Sequence, residues 1–279
     1  MAETSRTWLA INSASGSIAA DLVSSVREAL ATSGSAPSRI LDIRSEALPD
    51  GNVLASAGVE CLAILAGDGT INALVTALGG WDGKVLVLPG GTTNLLSRAL
   101  HGERDAIEIA RALPRLRAVR RHAIRSSKGL ALIEMLAGPG AAWSDVREGL
   151  RDADLVEVAA SGAAAVRQSI AGPMVHLGDP PIGRETGYAS VRMVAGDGHI
   201  EVSGYGAESF TDFLRQGVAL LKRDFREGPH DWLGCHGAVV CRSADGSPID
   251  LMIDGERRTG EAEERFSLAQ LSIDLLAMR

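Results

Sequence analysis

Short apolar runs that end at turn residues recur through the first half of the sequence. Cys61–Leu65 and Val85–Leu88 are continuous apolar runs, a pattern typical of parallel strands buried on both faces. Apolar residues at helical spacing fill other segments, among them Ile18–Leu30, Ile71–Leu78 and Asp105–Leu113. Because strands and helices alternate, the pattern predicts an N-terminal doubly wound, largely parallel α/β domain.

The pattern changes after Gly129, where the apolar runs become shorter and β-like. Turn sequences such as Gly196–Gly198 and Asp245–Ser247 separate them. This predicts a C-terminal, mainly antiparallel β-sandwich domain. We place the first domain at residues 1–120 and the second at 121–279, and leave open a return of the last residues to the first domain. The predicted strands of the second domain are Leu130–Leu136, Tyr188–Val194, His199–Tyr205, Val239–Arg242 and Ile249–Ile253.

Two glycine-rich turns follow the apolar runs of the first domain. Ala66–Thr70 follows one run and Pro89–Asn94 follows the next. In α/β sheets such loops line the ligand crevice at the carboxyl ends of the strands, and glycines let the backbone approach a phosphate closely. A carboxylate in such a loop would repel a bare phosphate, so Asp68 is interpreted as a metal ligand or a general base. The alternative is a pair of tight strand-to-helix turns.

Composition and charge narrow the class of protein. The 279 residues are 46% hydrophobic and 4% aromatic, which fits two soluble domains packed with aliphatic residues. The net charge of −7 argues against nucleic acid as the main partner. Neither a signal peptide nor an apolar run of membrane-spanning length is visible. Cys61, Cys235 and Cys241 lack metal-binding or redox spacing and are expected to be reduced thiols of a cytoplasmic protein.

Basic residues cluster where the first domain is expected to end. This basic stretch could meet ATP phosphates or an anionic membrane surface. The alternative is a solvated strand and linker. The stretch favours a peripheral protein at the inner membrane surface, with no transmembrane segment. Its members are Arg115, Arg117, Arg120, Arg121, Arg125 and Lys128.

The two loops resemble those of the diacylglycerol kinase catalytic-domain family, which includes bacterial lipid kinases and sphingosine kinases. The matching segments are Gly67–Asn72 and Pro89–Leu95. The family's first loop is usually Gly-Gly-Asp-Gly-Thr, and Ala66 replaces its first glycine here. The family's opening motif is usually Asn-Pro-x-Ser-Gly, and Ser13 stands at the proline position. An Asp-Gly-Glu sequence at 254–256 matches the family's order near the C-terminus.

This resemblance implies transfer of the ATP γ-phosphate to a lipid hydroxyl, with Mg²⁺ as the metal ion. Asp68 would organise Mg²⁺, and the second domain would take the lipid at the membrane surface. Asp68 and Glu256 are both candidates for the proton acceptor, and Asp254 is expected to orient Glu256 in the same cleft. The implied nucleotide-binding residues are Asn12, Ser15, Gly16, Gly67, Gly69, Thr70, Gly90, Gly91, Thr92, Thr93 and Asn94.

Two other functions stay open at this point. NAD kinases and phosphofructokinases share the Gly-Asp-Gly loop, so an NAD kinase-like enzyme is the alternative catalyst. Ala66 and Ser13 depart from the family pattern and are compatible with an inactive regulator that binds a nucleotide or a lipid. Neither the acceptor lipid nor the oligomeric state follows from the sequence, and a homodimer is one option.

Overall fold

The computed structural model describes residues 6–13, 18–142, 172–206 and 230–278. The chain divides into two compact units. Unit 1 comprises residues 1–121 and 270–279, and unit 2 comprises residues 122–269. The C-terminal segment of the chain therefore belongs to the same unit as its N-terminal segment.

Helices are confined to unit 1, apart from short 3₁₀ turns, in the described part of the chain. The α-helices are α1 (Ala20–Thr32), α2 (Gly51–Ser56), α3 (Asp68–Ala77), α4 (Leu95–His101) and α5 (Ala106–Ala112). The strands are β1 (Thr7–Ile11), β2 (Pro37–Asp42), β3 (Cys61–Ala66), β4 (Lys84–Pro89), β5 (Arg117–Val119), β6 (His122–Ser126), β7 (Gly129–Ala131), β8 (Glu134–Ala137), β9 (Val175–Asp179), β10 (Ser190–Ala195), β11 (Ile200–Tyr205), β12 (Asp231–His236), β13 (Ala238–Ser243), β14 (Asp250–Ile253), β15 (Glu256–Thr259), β16 (Glu263–Gln270) and β17 (Asp274–Ala277).

The strands of unit 1 form one sheet in the order β2-β1-β3-β4-β17-β5. All neighbours in it are parallel except β17 and β5, which pair antiparallel. Every residue of β3 is buried, as its continuous apolar sequence predicts for a central strand covered on both faces. The prediction of a largely parallel N-terminal α/β domain is confirmed.

Helices α1 and α5 cover one face of this sheet. Leu30 of α1 and Ile109 of α5 share a hydrophobic cluster with Leu9, Leu65 and Leu88 of the strands. Local sequence signals also set the limits of α5. Its N-cap is an aspartate in a capping box with a glutamate three residues on, as the sequence Asp-Ala-Ile-Glu indicates. Amphipathic spacing accounts for the buried face of both helices, and a side-chain cap defines the start of α5.

The strands of unit 2 form two sheets, with the orders β12-β11-β10-β8-β14-β15 and β7-β6-β16-β13-β9. The strand pairs whose register is defined are antiparallel. One hydrophobic cluster holds Met135 and Val191 from the first sheet together with Val239 and Phe266 from the second. The two sheets therefore pack face to face, and the predicted antiparallel C-terminal domain is confirmed. No helix among the described residues is long and apolar enough to cross a membrane.

Candidate active site

The first glycine-rich loop is shorter in the structure than in the sequence-based prediction. The expected helix began at Ile71, whereas α3 begins at Asp68 with Gly67 as its N-cap residue. Asp68, Gly69 and Thr70 therefore form the first turn of α3 rather than an open loop. The reason is that β3 ends at Ala66, so a single residue suffices to reverse the chain into the helix.

The two loops contact each other through their glycines. A Cβ atom added at Gly91 would lie 2.7 Å from the Cα of Gly67, and one added at Gly90 would lie 2.7 Å from the backbone nitrogen of Ala66. By contrast, a Cβ atom on Gly67 would meet its nearest neighbour at 3.6 Å, an ordinary contact distance. Close packing of one loop on the other therefore requires glycine at positions 90 and 91 whether or not a ligand is bound.

Asn94 closes the second loop on itself. Its side-chain Oδ1 accepts a hydrogen bond from the Gly91 N–H at 2.8 Å, and its Nδ2 donates to the Gly91 carbonyl at 2.9 Å. Asn94 also has a φ of 51°, in the left-handed region that asparagine tolerates better than most residues. The structure thus gives Asn94 a bracing role in the turn. Its predicted contact with the nucleotide stays a prediction.

The Asp68 carboxylate joins the first loop to the helix after the second. Its Oδ2 accepts a hydrogen bond from the Leu95 N–H at 3.0 Å, and its Oδ1 accepts one from the Leu96 N–H at 3.2 Å. These donors belong to the first turn of α4, where backbone N–H groups have no partner within the helix. Asp68 therefore fixes α4 relative to α3, a role that its sequence context did not indicate.

The opening motif contacts the first loop through the side chain of Asn12. Asn12 Nδ2 donates to Thr70 Oγ1 at 3.0 Å, so these two predicted site residues are brought together. Ser13, at the position of the usual proline, donates its backbone N–H to Asp42 Oδ1 at 3.3 Å. Proline has no N–H to donate there. Bonding to the Ser13 side chain and to backbone N–H groups lowers the pKa of the Asp42 carboxyl. The predicted residues Ser15 and Gly16 lie outside the described residues.

A cavity of about 190 Å³ lies beside the second loop. Thr92 and Thr93, both predicted to bind the nucleotide, line it together with Arg98 and Arg104. The sequence-based prediction did not include these two arginines, because the second loop's matching segment ends at Leu95, before both of them. Their position within a dozen residues of the second loop was the available signal.

The Asp-Gly-Glu motif of unit 2 is a two-residue hairpin turn. Ile253 pairs with Glu256 across β14 and β15, and the two residues between them have φ angles of 48° and 96°. Positive φ at both positions is typical of the tight hairpin turn that Asp-Gly favours. The Glu256 side chain is 56% exposed, with its Oε2 3.9 Å from Arg258 Nη1.

Asp254, in that turn, is buried and bound to the backbone. Its Oδ2 accepts from the Leu132 N–H at 2.7 Å, and its Oδ1 accepts from the Ile133 and Glu134 N–H groups, both at 3.0 Å. The side chain of Glu134 is itself buried and forms a salt bridge with Arg192 at 2.9 Å. The geometry therefore shows Asp254 holding the segment between β7 and β8. Its orienting effect on Glu256 stays a prediction.

The carboxylate of Asp68 suits a metal ion that is held mainly by the phosphates of a bound nucleotide rather than by protein side chains. Among the described residues, no group of three or more histidine, cysteine, aspartate or glutamate side chains is arranged to hold a metal. Mg²⁺ usually keeps several waters and takes one or two carboxylates together with substrate phosphates. Asp68 has that chemistry, since each carboxylate oxygen carries a second lone pair beside the one used by α4. Mg²⁺ held jointly with a nucleotide therefore fits these residues.

Two of the three cysteines are unsuited to chemistry at neutral pH. All three are free thiols, and Cys61 and Cys241 are buried. Burial raises the pKa of each of these two thiols to about 12. A thiol with such a pKa stays protonated and is a poor nucleophile. The candidate chemistry therefore belongs to the carboxylates, hydroxyls and arginines.

The sequence and the fold were compared with known proteins. Residues 6–126 match the family model of the diacylglycerol kinase catalytic domain. Among curated proteins, none matches the chain. A diacylglycerol kinase structure from Bacillus anthracis strain Sterne is 13% identical, with a TM-score of 0.65, and the alignment covers 100% of this chain and 98% of that one.

Two further structures from the same strain, provisionally described as diacylglycerol kinases, give TM-scores of 0.68 and 0.67. Each is 14% identical, and each alignment covers 100% of this chain and 99% of the other. At this identity the likeness to these structures shows the fold alone. The family match over residues 6–126 confirms the resemblance to the diacylglycerol kinase catalytic-domain family that the two glycine-rich loops predicted.

Proposed function

We propose that the protein is an ATP-dependent lipid kinase that transfers the γ-phosphate to the hydroxyl of diacylglycerol or a related lipid alcohol. The observation that carries this proposal is the direct contact between the two glycine-rich loops, at Gly67 and Gly91, within the segment that matches the catalytic-domain family. Phosphoryl transfer depends mostly on positioning and on neutralising charge. A rigid pair of loops that presents backbone N–H groups and hydroxyls suits both needs.

The roles we assign to the loops follow from their contacts. Thr70, Thr92 and Thr93 supply hydroxyls to the phosphates, and the glycines of both loops supply backbone donors. Asn12, through its bond to Thr70, holds the opening strand against the nucleotide site. Mg²⁺, when bound with the nucleotide, neutralises charge on the phosphates beside Asp68. The Asn94 brace keeps the second loop in shape. The remaining nucleotide contacts that we propose are Ser15, Gly16, Gly67, Gly69, Gly90 and Gly91.

We assign the proton acceptor to Glu256 in preference to Asp68. A general base must reach the substrate hydroxyl, and the Glu256 side chain is 56% exposed. Both Asp68 oxygens accept backbone hydrogen bonds from α4, so this carboxylate is already engaged in holding that helix. Asp254 acts as a positioning residue that fixes the turn from which Glu256 projects.

The direct test is transfer of labelled phosphate from ATP to a panel of lipid alcohols. Diacylglycerol, a sphingoid base and ceramide are presented in mixed micelles with Mg²⁺, and NAD is tested in a parallel reaction. We expect label in at least one lipid and none in NAD. Efficient labelling of NAD without any lipid product would establish the NAD kinase-like alternative. ATP binding without turnover on either acceptor would establish the inactive regulator.

Ala66 favours the active kinase over the regulator. It is the last residue of β3 and is fully buried. An extended strand residue does not need the conformational freedom of glycine. Replacement of the family's first glycine by Ala66 is therefore compatible with an intact loop.

A further inference from the structure

The cavity beside the second loop is lined by positively charged side chains, which the two loops themselves lack. Lys84 is the only basic residue between positions 66 and 94, and it begins β4. The glycine-rich loop follows the other end of that strand, about 17 Å away at the usual rise per residue. The cavity, by contrast, is lined by Arg98 and Arg104 together with the hydroxyl-bearing residues Thr92 and Thr93. Arginine and hydroxyl groups in one concave site are the usual partners of a phosphate group.

Arg104 is held in place at the rim of this cavity. Gly102 follows the last residue of α4 with a φ of 71°, in the left-handed region, and ends the helix. Arg104 Nη1 donates to the His101 carbonyl at 2.6 Å. One of the five N–H donors of the guanidinium is thus used to fix its position, and a fixed guanidinium loses less side-chain entropy on binding an anion.

Arg98 is paired with a carboxylate that an anion can replace. Its Nε and Nη2 both donate to the same oxygen of Glu103, with the Nε bond at 2.9 Å. The two side chains are 52% and 77% exposed. An ion pair this exposed contributes little to stability, so exchanging Glu103 for a phosphate costs little. Glu103 also lines the cavity and is the one negatively charged side chain among the described residues that line it.

We propose that this cavity binds a phosphate group, with Arg98 and Arg104 supplying positive charge and Thr92 and Thr93 supplying hydroxyls. The proposal rests on the kinase function only for the source of the phosphate, which is either the nucleotide or the phosphorylated lipid product. In either case the arginines neutralise charge that the glycine-rich loops leave uncompensated. Glu103 occupies Arg98 until the phosphate arrives.

The test compares Arg98→Gln and Arg104→Gln with the wild type and with Arg111→Gln. Arg111 is an exposed arginine in the last turn of α5, so its replacement makes the same change of net charge away from the cavity. Calorimetry with ADP and with pyrophosphate measures nucleotide-type phosphates. Sedimentation with phosphatidylcholine vesicles that contain phosphatidate, against vesicles that contain phosphatidylglycerol, measures a lipid phosphomonoester.

We expect each cavity variant to weaken binding of one probe by about tenfold or more, while Arg111→Gln binds as the wild type does. Weaker ADP and pyrophosphate binding assigns the cavity to the nucleotide, and loss of the preference for phosphatidate assigns it to the lipid product. Glu103→Gln should strengthen the binding of the same probe, because it releases Arg98 and removes the negative charge. Thermal melts of every variant verify folding.

Folded cavity variants that bind all probes like the wild type would overturn the proposal. This result is distinguishable from failure of the kinase assignment. A wild type that labels a lipid, together with unaffected phosphate binding in the variants, rejects the cavity and leaves the kinase intact. A wild type with no turnover, together with weakened phosphate binding in the variants, supports the cavity and rejects the kinase.

Discussion

At the scale of single residues, Gly67 and Gly91 face each other but tolerate different changes. Gly91→Ala places a methyl group against the Gly67 backbone, so we expect a loss of about 1–3 kcal/mol in the free energy of unfolding and much weaker ATP binding. Gly67→Ala has room for its methyl group in the unliganded protein and should cost at most about 1 kcal/mol. Chemical denaturation and nucleotide calorimetry on both variants measure these effects.

The pair of variants also separates packing from ligand contact. If Gly67→Ala stays stable but loses ATP binding, the space beside Gly67 belongs to the nucleotide. Equal stability of the two variants would contradict the loop contact at Gly91.

Because His101 is buried, we expect the folding stability of the protein to decrease in mild acid. His101 is 1% exposed, and burial, with a further contribution from Arg104, lowers its pKa from 6.5 to about 4. The unfolded chain therefore takes up a proton near pH 6.5 that the folded protein does not, so stability falls as the pH drops from 6.5 towards 4. We expect this group alone to remove about 2 kcal/mol between about pH 7.5 and about pH 5.

The measurement is urea denaturation of the wild type and His101→Leu at both pH values. The variant lacks the titrating group, so its stability should fall less than that of the wild type over this range. An identical fall in both proteins would assign the acid sensitivity to carboxyl groups instead.

At the scale of elements, Asp68 couples two helices. Asp68→Asn leaves one oxygen for two N–H donors and turns an NH₂ group towards one of them, so we expect a loss of about 1–3 kcal/mol in stability without any ligand. Asp105→Asn is the matched control, because the cap of α5 uses only one carboxylate oxygen. Asparagine caps a helix as well as aspartate does, so this variant should change stability by less than about 0.5 kcal/mol.

Enzyme assays on Asp68→Asn then show how far its role extends. We expect a lower rate and an altered dependence on Mg²⁺ concentration. A stable Asp68→Asn protein would contradict the coupling of α3 to α4 and leave metal binding as the role of this carboxylate.

Two acidic residues at the turn of the β14–β15 hairpin, Asp254 and Glu256, have separable effects. Asp254→Asn puts an amide NH₂ against buried N–H donors, and we expect it to lose about 1–3 kcal/mol in stability. Asparagine tolerates the positive φ at this position, so backbone strain does not contribute. Glu256→Gln changes an exposed side chain and should leave stability unchanged while lowering kcat by about a hundredfold with little effect on ATP affinity.

Denaturation, steady-state kinetics and nucleotide calorimetry on both variants distinguish these outcomes. A near-normal kcat in the Glu256→Gln enzyme would show that the motif serves only as a hairpin turn. Asp68 would then be the candidate for the general base.

At the scale of the whole molecule, the members of the basic stretch differ in the contacts that they make. Arg120 bonds Asp274 of β17 at 2.8 Å, and Lys128 bonds Glu261 at 2.6 Å. Arg121 is partly buried, and burial lowers the pKa of its guanidinium. Arg115 and Arg117 are exposed. If the protein works at an anionic membrane, the exposed arginines are its better contacts.

We therefore expect the double variant Arg115→Gln and Arg117→Gln to bind anionic vesicles about tenfold more weakly, with a shallower dependence on salt. The matched control replaces Arg27 and Arg111, which are exposed on helices of the same unit. Vesicle sedimentation over a range of salt concentrations measures the effect. Equal binding by both double variants and the wild type would leave the stretch as a solvated strand and linker.

The sequence by itself determined the features that depend on neighbouring residues. Continuous apolar runs predicted β3 and β4, and helical spacing predicted α1 and α5. The order of the motifs then placed both glycine-rich loops at the ends of adjacent strands. These predictions succeeded because strand burial, helix capping and tight turns are set over a few residues.

Only the tertiary structure decided which groups those local elements meet. The two donors to Asp68 lie 27 and 28 residues further along the chain, and the Leu132 N–H bound by Asp254 lies 122 residues before it. Similarly, β17 lies between β4 and β5 in the sheet, although it is far from both of them in sequence. A partly or fully buried carboxylate accepts hydrogen bonds from whichever N–H donors the packing of the chain brings within reach. The sequence therefore marked Asp68 and Asp254 as important, and the fold determined that both hold the backbone in place.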